Sequence, residues 1–265
     1  MSLDTQANGF IINKDYDIFE GMTSISALID SIEQKSNNRK IIEIMYDEDS
    51  ASKKYRELKF LKSKANELHF RIIPAKRDFI DSVVSGKTHG GIIAKATKRQ
   101  FVGICNRQLP KNGFFALIEG VEDPYNFGYS VRSLYAAGVD GLILAHRNWM
   151  EFSGTVAKSS AGTSELLDIY EDTPEDAVSY MKSCGYRIIC AGIRDSVPLQ
   201  DAFLDCPVLL VVGGEKRGIS RKILDMSDQN VRIEYARKFK GSLPTVSAIS
   251  IMAYEIAAKR QLNKV

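Results

Sequence analysis

Three stretches of this 265-residue chain collect residue types that chemistry can use. The first, "DPYNFGYSVRS", follows the apolar run "FFALIEGV" and carries Asn126 and Arg132. An amide offers both donor and acceptor, and a guanidinium offers a fork of donors matched to phosphate or carboxylate. The second, "VVGGEKRGIS", sets Gly213, Gly214 and Gly218 around Glu215 and Arg217, so that backbone can come close to a ligand between two opposite charges. The third, "YARKFKGSLPTVS", runs from basic Arg237, Lys238 and Lys240 into Thr245 and Ser247.

Each stretch also has a purely structural explanation. Asp-Pro is turn chemistry, clustered glycines make tight turns, and Thr245 or Ser247 could cap the helix that follows. Gly213 and Gly218 have the glycine spacing of a phosphate-binding P-loop, but Ile219 and Ser220 stand where that loop needs Lys followed by Ser or Thr. No G-x-G-x-x-G supports a dinucleotide site.

The elements around these loops predict where they meet. Continuous apolar runs "FFALIEG", "DGLILA", "YRIICAGI" and "PVLLVVGG" alternate with helical patterns, which implies a mostly parallel sheet covered on both faces. The final helix "VSAISIMAYEIAAKRQL" puts Ile249, Met252, Ala253, Ile256 and Ala257 on one side. Ligands of such sheets bind beyond the carboxyl ends of the strands, where all three loops should open. Upstream, "SALIDSIEQ", "KIIEIMYD", "SKKYRELKFLKSKANEL", "HFRIIPA", "KRDFIDSVVSG" and "GGIIAKAT" alternate helix and strand, predicting a smaller α/β module. The polar stretch "CNRQLPKNG" marks the junction, giving domains 1–108 and 109–265.

Composition bounds the function. With 44% hydrophobic and 26% charged residues, the chain can bury a core as ordinary globular proteins do. The sequence offers no apolar run long enough for a membrane span and no signal peptide, so the expectation is a cytoplasmic protein without membrane contact. Cys105, Cys184, Cys190 and Cys206 form no C-x-x-C, and His69, His89 and His146 are far apart, so no metal site is expected. Residues 53–107 hold 14 Lys and Arg against 4 Asp and Glu, an imbalance that attracts polyanions or simply lines a solvated helix.

The strings "EDPYNFGYSVRSLYAAGVDGLIL", "GTVAKSSAGTSELL", "LLVVGGEKRGISRKILDMSDQNVRI" and "GSLPTVSAISIMAYEIA" resemble, in this order, the SpoU (TrmH-like) branch of the SPOUT superfamily, over nearly all of residues 114–260. "KRDFIDSVVSGKTHGGIIA" is similar to the end of the RNA-binding module often fused ahead of such domains. The resemblance implies an S-adenosylmethionine-dependent methyltransferase acting on a ribose 2′-OH of structured rRNA or tRNA. It implies a parallel α/β sheet with a C-terminal trefoil knot, preceded by a small α/β RNA-binding module, and a homodimer with cofactor sites near the interface. A knot is a feature that ordinary topology rules would never suggest.

The resemblance also implies roles. Arg132 matches the catalytic arginine, Asn126 the asparagine of the first motif and Glu215 the acidic residue of the second. Gly213, Gly214, Ile233, Leu243 and Val246 match main-chain positions around the cofactor, and Thr245 falls in the third motif on both its cofactor and its substrate side. There the sequence departs from the usual S-L-N-V-S, with Pro244 inserted and Thr245 in place of Asn. A hydroxyl replaces only part of an amide's hydrogen bonding. The competing expectation is a binding or assembly factor that keeps the fold and has lost catalysis.

Overall fold

The computed structural model describes residues 5–7, 10–12, 15–84, 86, 88–105, 107–145, 152–205, 207–214 and 216–262. Glu215, His146 and Cys206 lie outside the described residues. In chain order the elements are β1 (Thr5–Ala7), β2 (Phe10–Ile12), β3 (Tyr16–Glu20), α1 (Gly21–Glu33), β4 (Ile41–Asp47), α2 (Tyr55–Leu68), β5 (Arg71–Ala75), α3 (Arg77–Val83) and β6 (Ile92–Thr97). They continue with β7 (Phe114–Ile118), α4 (Pro124–Ala136), β8 (Gly141–Leu144), α5 (Ser153–Ser159), α6 (Thr163–Leu166), β9 (Ile169–Glu171), α7 (Pro174–Ser183) and β10 (Arg187–Ala191). Then come β11 (Ser196–Pro198), β12 (Val208–Val212), α8 (Arg221–Met226), β13 (Gln229–Arg232) and α9 (Thr245–Leu262).

The chain divides into two compact units. One comprises Met1–Gln100 with Asn148–Leu166, the other Phe101–Arg147 with Leu167–Val265. The stretch carrying α5 and α6 thus packs with the N-terminal unit, although it lies between β8 and β9 of the second.

In the first unit, a sheet ordered β3-β6-β4-β5 is antiparallel except for its β4–β5 pair. Phe19, Leu28, Ile44, Leu61 and Ile92 build its core, and Ala157 of α5 joins them. A Cβ on Gly154 would overlap the carbonyl of Ile18, so α5 lies with its backbone directly against β3. Beside this contact sits a buried ionic cluster. Arg39 Nη1 donates to Asp17 Oδ2 at 2.6 Å and Arg39 Nε to Glu165 Oε2 at 2.9 Å, with no side chain of the three more than 5% exposed. Asn37 Nδ2 adds a bond to the Glu165 backbone oxygen at 2.9 Å. Burial alone would favour a neutral arginine, but the two carboxylates outweigh it and hold Arg39 charged.

In the second unit, seven strands ordered β11-β13-β10-β12-β7-β8-β9 pair in parallel throughout. Every residue of β7, β8 and β12 is buried, as expected of strands covered on both faces. Carboxylates fix two strand starts: Phe114 N–H donates to Asp140 Oδ2 at 2.6 Å, and Ile188 N–H to Asp228 Oδ2 at 2.8 Å. α9 buries Ile249, Met252, Ala253 and Ile256. It packs along α4, where Ser250 Oγ lies 2.7 Å from Ser133 Oγ.

Candidate functional site

The strand order decides where a site can form. β13, β10 and β12 are neighbours in the sheet, so the loops leaving their carboxyl ends converge. Beyond them opens a cavity of about 790 Å³, within the range of cofactor sites. Ala191, Val212 and Val231 form its apolar floor, and Ala248 and Met252 of α9 face it from the helical side.

The glycine loop after β12 shows why it is glycine-rich. A Cβ on Gly214 would overlap the Gly120 carbonyl in the loop after β7, and one on Gly213 would overlap the Gly218 backbone. Both residues border the cavity, yet the close approach that excludes a side chain is to the protein's own main chain. Gly218, at φ +65°, donates its N–H to Gly214 O at 2.9 Å and closes the turn. That amide is engaged internally, and the lysine of a P-loop is missing from the sequence, so two features of a phosphate loop are lacking here. Alongside, Glu119 Oε2 at the end of β7 accepts the Ser220 N–H at 2.9 Å, tying this turn to the neighbouring strand.

Gly192, one residue past β10, behaves differently. It lines the cavity, and a Cβ built there would meet nothing within 4 Å. The sequence reading missed it, although its signal was present: a glycine at the carboxyl end of the buried strand "YRIICA".

The loop from β13 to α9 forms the outer wall. Tyr235 and Phe239 meet edge to face at 5.7 Å between ring centres, and Tyr235 Oη accepts the Leu243 N–H at 3.1 Å. Arg237, Lys238 and Lys240 line the same wall from exposed positions. α9 opens with Ala248 N–H bonded to Pro244 O at 3.1 Å, so Thr245 is the first helical residue and neither it nor Ser247 is the cap. Proline suits this place, where a missing N–H costs nothing.

Of the residues marked by their type or by the resemblance, Gly213, Gly214, Ile233, Leu243 and Thr245 come together around the cavity. Val246 is half-buried in the first turn of α9 and does not line it. Asn126 and Arg132 sit on α4. There Asp123 caps the helix by accepting the Asn126 N–H at 2.8 Å, and Pro124 opens it. The turn chemistry is therefore real, and it leaves both functional groups unspent: the side chains of Asn126 and Arg132 make no hydrogen bond or ion pair among the described residues. Arg132 is exposed and Asn126 half-buried. Among the described residues, no three His, Cys, Asp or Glu side chains gather in a cluster suited to a metal ion, and no helix is long and apolar enough to cross a membrane.

Residues 113–254 match the SpoU rRNA Methylase family model. A protein of Staphylococcus haemolyticus named for the TrmH family of tRNA/rRNA methyltransferases is 28% identical over 203 residues, covering 75% of this chain and 80% of that protein. Among solved structures, the AdoMet-bound rRNA methyltransferase from Sinorhizobium meliloti superposes with a TM-score of 0.77 at 17% identity, covering 92% of this chain and 87% of that one. An RNA 2′-O ribose methyltransferase superposes with a TM-score of 0.74 at 18% identity, covering 93% and 89%.

Proposed function

Since the chain belongs to the SpoU rRNA methylase family, we propose that it transfers a methyl group from S-adenosylmethionine to a ribose 2′-OH of structured ribosomal or transfer RNA. The observation that carries this reading is the cavity at the ends of β10, β12 and β13, whose border unites Gly213, Gly214, Ile233, Leu243 and Thr245. Its apolar floor suits an adenine ring, and the open space over Gly192 leaves room for it. Main-chain groups at these positions and the Thr245 hydroxyl would hold the cofactor, which when bound supplies an electrophilic methyl group on a sulfonium.

A ribose hydroxyl is a poor nucleophile, so the protein's task is alignment and help with proton loss. Arg132 carries a guanidinium, a planar fork of donors with no acceptor. It acts as a fork on an RNA phosphate and orients the hydroxyl, whose proton passes to a phosphate oxygen or water. Asn126 holds the ribose or the arginine, and Glu215 steadies the arginine. The third-motif departure at Pro244 and Thr245 bears on the acceptor side.

Arg132 lies outside the cavity wall of its own chain, and a homodimer supplies a complementary arginine. Tyr125, Tyr129 and Tyr135 of α4 and Ile251 and Tyr254 of α9 are exposed, Tyr254 by 72%, on two helices packed together. An aromatic-rich surface of that kind fits a self-association face. The C-terminal segment in this reading is threaded as the family's trefoil knot, residues 1–108 hold the RNA, and the protein works in the cytoplasm.

Calorimetry with S-adenosylmethionine, followed by incubation of the protein with bulk rRNA and a tritiated methyl donor, tests the reading. Saturable binding and label in alkali-resistant dinucleotides are expected, because methylation removes the 2′-hydroxyl that alkaline cleavage needs. Label in alkali-sensitive nucleotides would assign a base as acceptor, and binding without transfer would favour a non-catalytic RNA factor.

A further inference from the structure

The first unit carries a surface that specifies how residues 1–108 could hold the RNA of the proposed reaction. α2 buries Leu58 and Leu61 and turns its other side outward. On a helix, Tyr55, Lys59 and Lys62 fall at i, i+4 and i+7 along one stripe, with Arg56 and Phe60 beside them. The five are exposed, Tyr55 by 68%. Lys53, also exposed, precedes them in the turn that leads into the helix.

The cations divide into two groups. Lys54 pairs with Glu57 at 3.5 Å, and Lys64 with Glu33 and Glu67 at 2.6 and 2.9 Å. Lys53, Arg56, Lys59 and Lys62 make no ion pair with any described residue. Lys54 and Lys64 are thus neutralised by ion pairs, whereas Lys53, Lys59 and Lys62 have no such partner and Arg56 feels only the nearby Glu57 carboxylate without pairing with it, and these four lie with two aromatic rings on or beside the outward stripe. A stripe laid out for solubility alone would have no need of rings, since an exposed Tyr or Phe holds apolar area against water.

We propose that this face of α2 docks an unpaired segment of the RNA substrate, with Arg56, Lys59 and Lys62 on successive phosphates and Tyr55 and Phe60 stacked on bases. The inference rests on the RNA-modifying function above. Cations interleaved with aromatic side chains are the chemistry that grips single strands, whose bases have free π-faces and whose backbone carries regular negative charge. Tyr55 to Lys62 spans about 10 Å of helix axis, enough for two or three nucleotides. Duplex RNA hides its base faces and would meet only the cations.

Full-length protein is titrated with a fluorescent RNA hairpin bearing an eight-nucleotide loop and with a blunt duplex of equal length, over a series of salt concentrations. Hairpin binding at least tenfold tighter than duplex binding is expected. Tyr55→Ala with Phe60→Ala should lose about tenfold on the hairpin, leave the duplex and the salt slope unchanged, and recover in Tyr55→Trp. Arg56→Gln, Lys59→Gln and Lys62→Gln together should weaken both RNAs and flatten the salt slope of the hairpin by about 2, at roughly 0.7 per single-strand phosphate. The proposal is overturned if the aromatic variant binds the hairpin as the parent does. It is also overturned if the variants change binding to vesicles containing phosphatidylserine and leave RNA binding intact. Methyl transfer to bulk rRNA, measured on the same proteins, separates the two readings: transfer that persists while α2 variants bind normally removes the docking face alone, whereas absence of RNA binding and transfer in the parent removes both.

Discussion

At the scale of single residues, the glycines of the candidate site do different work. Gly214 is required by the carbonyl of Gly120, and Gly192 by nothing in the protein. Gly214→Ala is therefore expected to lower the melting temperature by several degrees, since the added methyl displaces two loops at once. Gly192→Trp should keep the melting temperature and abolish S-adenosylmethionine binding, as thermal unfolding and calorimetry on both variants would show. If both variants unfold alike, the contrast between the two glycines is wrong. Arg132 makes the complementary case. Exposed and without a partner among the described residues, it can be changed at little cost in stability. Arg132→Ala should leave cofactor affinity intact and lower the rate of transfer by about 100-fold or more, with Arg132→Lys recovering only part, because an ammonium cannot reproduce the fork.

At the scale of elements, the parallel sheet was legible in the sequence because β7 and β12 are unbroken apolar runs, buried to the last residue. The short strands β9 and β11 were not, since "IYE" and "SVP" carry half-buried positions and no periodicity to read. The attachment of α5 and α6 to the first unit was hidden for a different reason. Asp17, Arg39 and Glu165 read as surface residues in a sequence, and only the fold reveals them as a buried ionic cluster. Glu165→Gln removes one charge from it, which is expected to cost on the order of 3 kcal/mol in a denaturant titration, the typical penalty for breaking a buried pair. At the start of β13, burial pushes the Asp228 carboxyl up, but the Ile188 N–H and Lys182 outweigh it and hold it below the ordinary range. A carboxyl depressed in the folded state stabilises above its unfolded pKa of about 3.9 and loses that contribution as the pH falls through its folded value. Asp228→Asn should thus melt lower than the parent at pH 7, with the gap closing toward pH 3.

At the scale of the whole molecule, the candidate site was half legible. Its cofactor side follows from where parallel strands end, and five of the marked residues meet there. Asn126 and Arg132, on α4, are not among the residues that border the cavity, so the proposed reading calls on a second copy to complete its substrate side. Completion by a second copy predicts a mass near twice 29.5 kDa in light scattering. Tyr129→Glu with Tyr254→Glu should yield monomers that no longer transfer methyl groups. Monomers with full activity would return the search for the substrate side to a single chain.

The division of the chain has a consequence for how the protein is made. A ribosome releases residues in order, and domains near the N-terminus usually fold first. Here the first unit needs Gly154, Ala157 and Glu165, which emerge only after β7, α4 and β8 of the second. Until residue 165 leaves the tunnel, Arg39 has Asp17 and the Thr97 carbonyl but not its second carboxylate, and the nascent module waits, incomplete, for a piece of chain still being synthesised. Any graft of this module onto another protein would have to carry both stretches, and a fragment ending at 108 would reproduce that waiting state permanently.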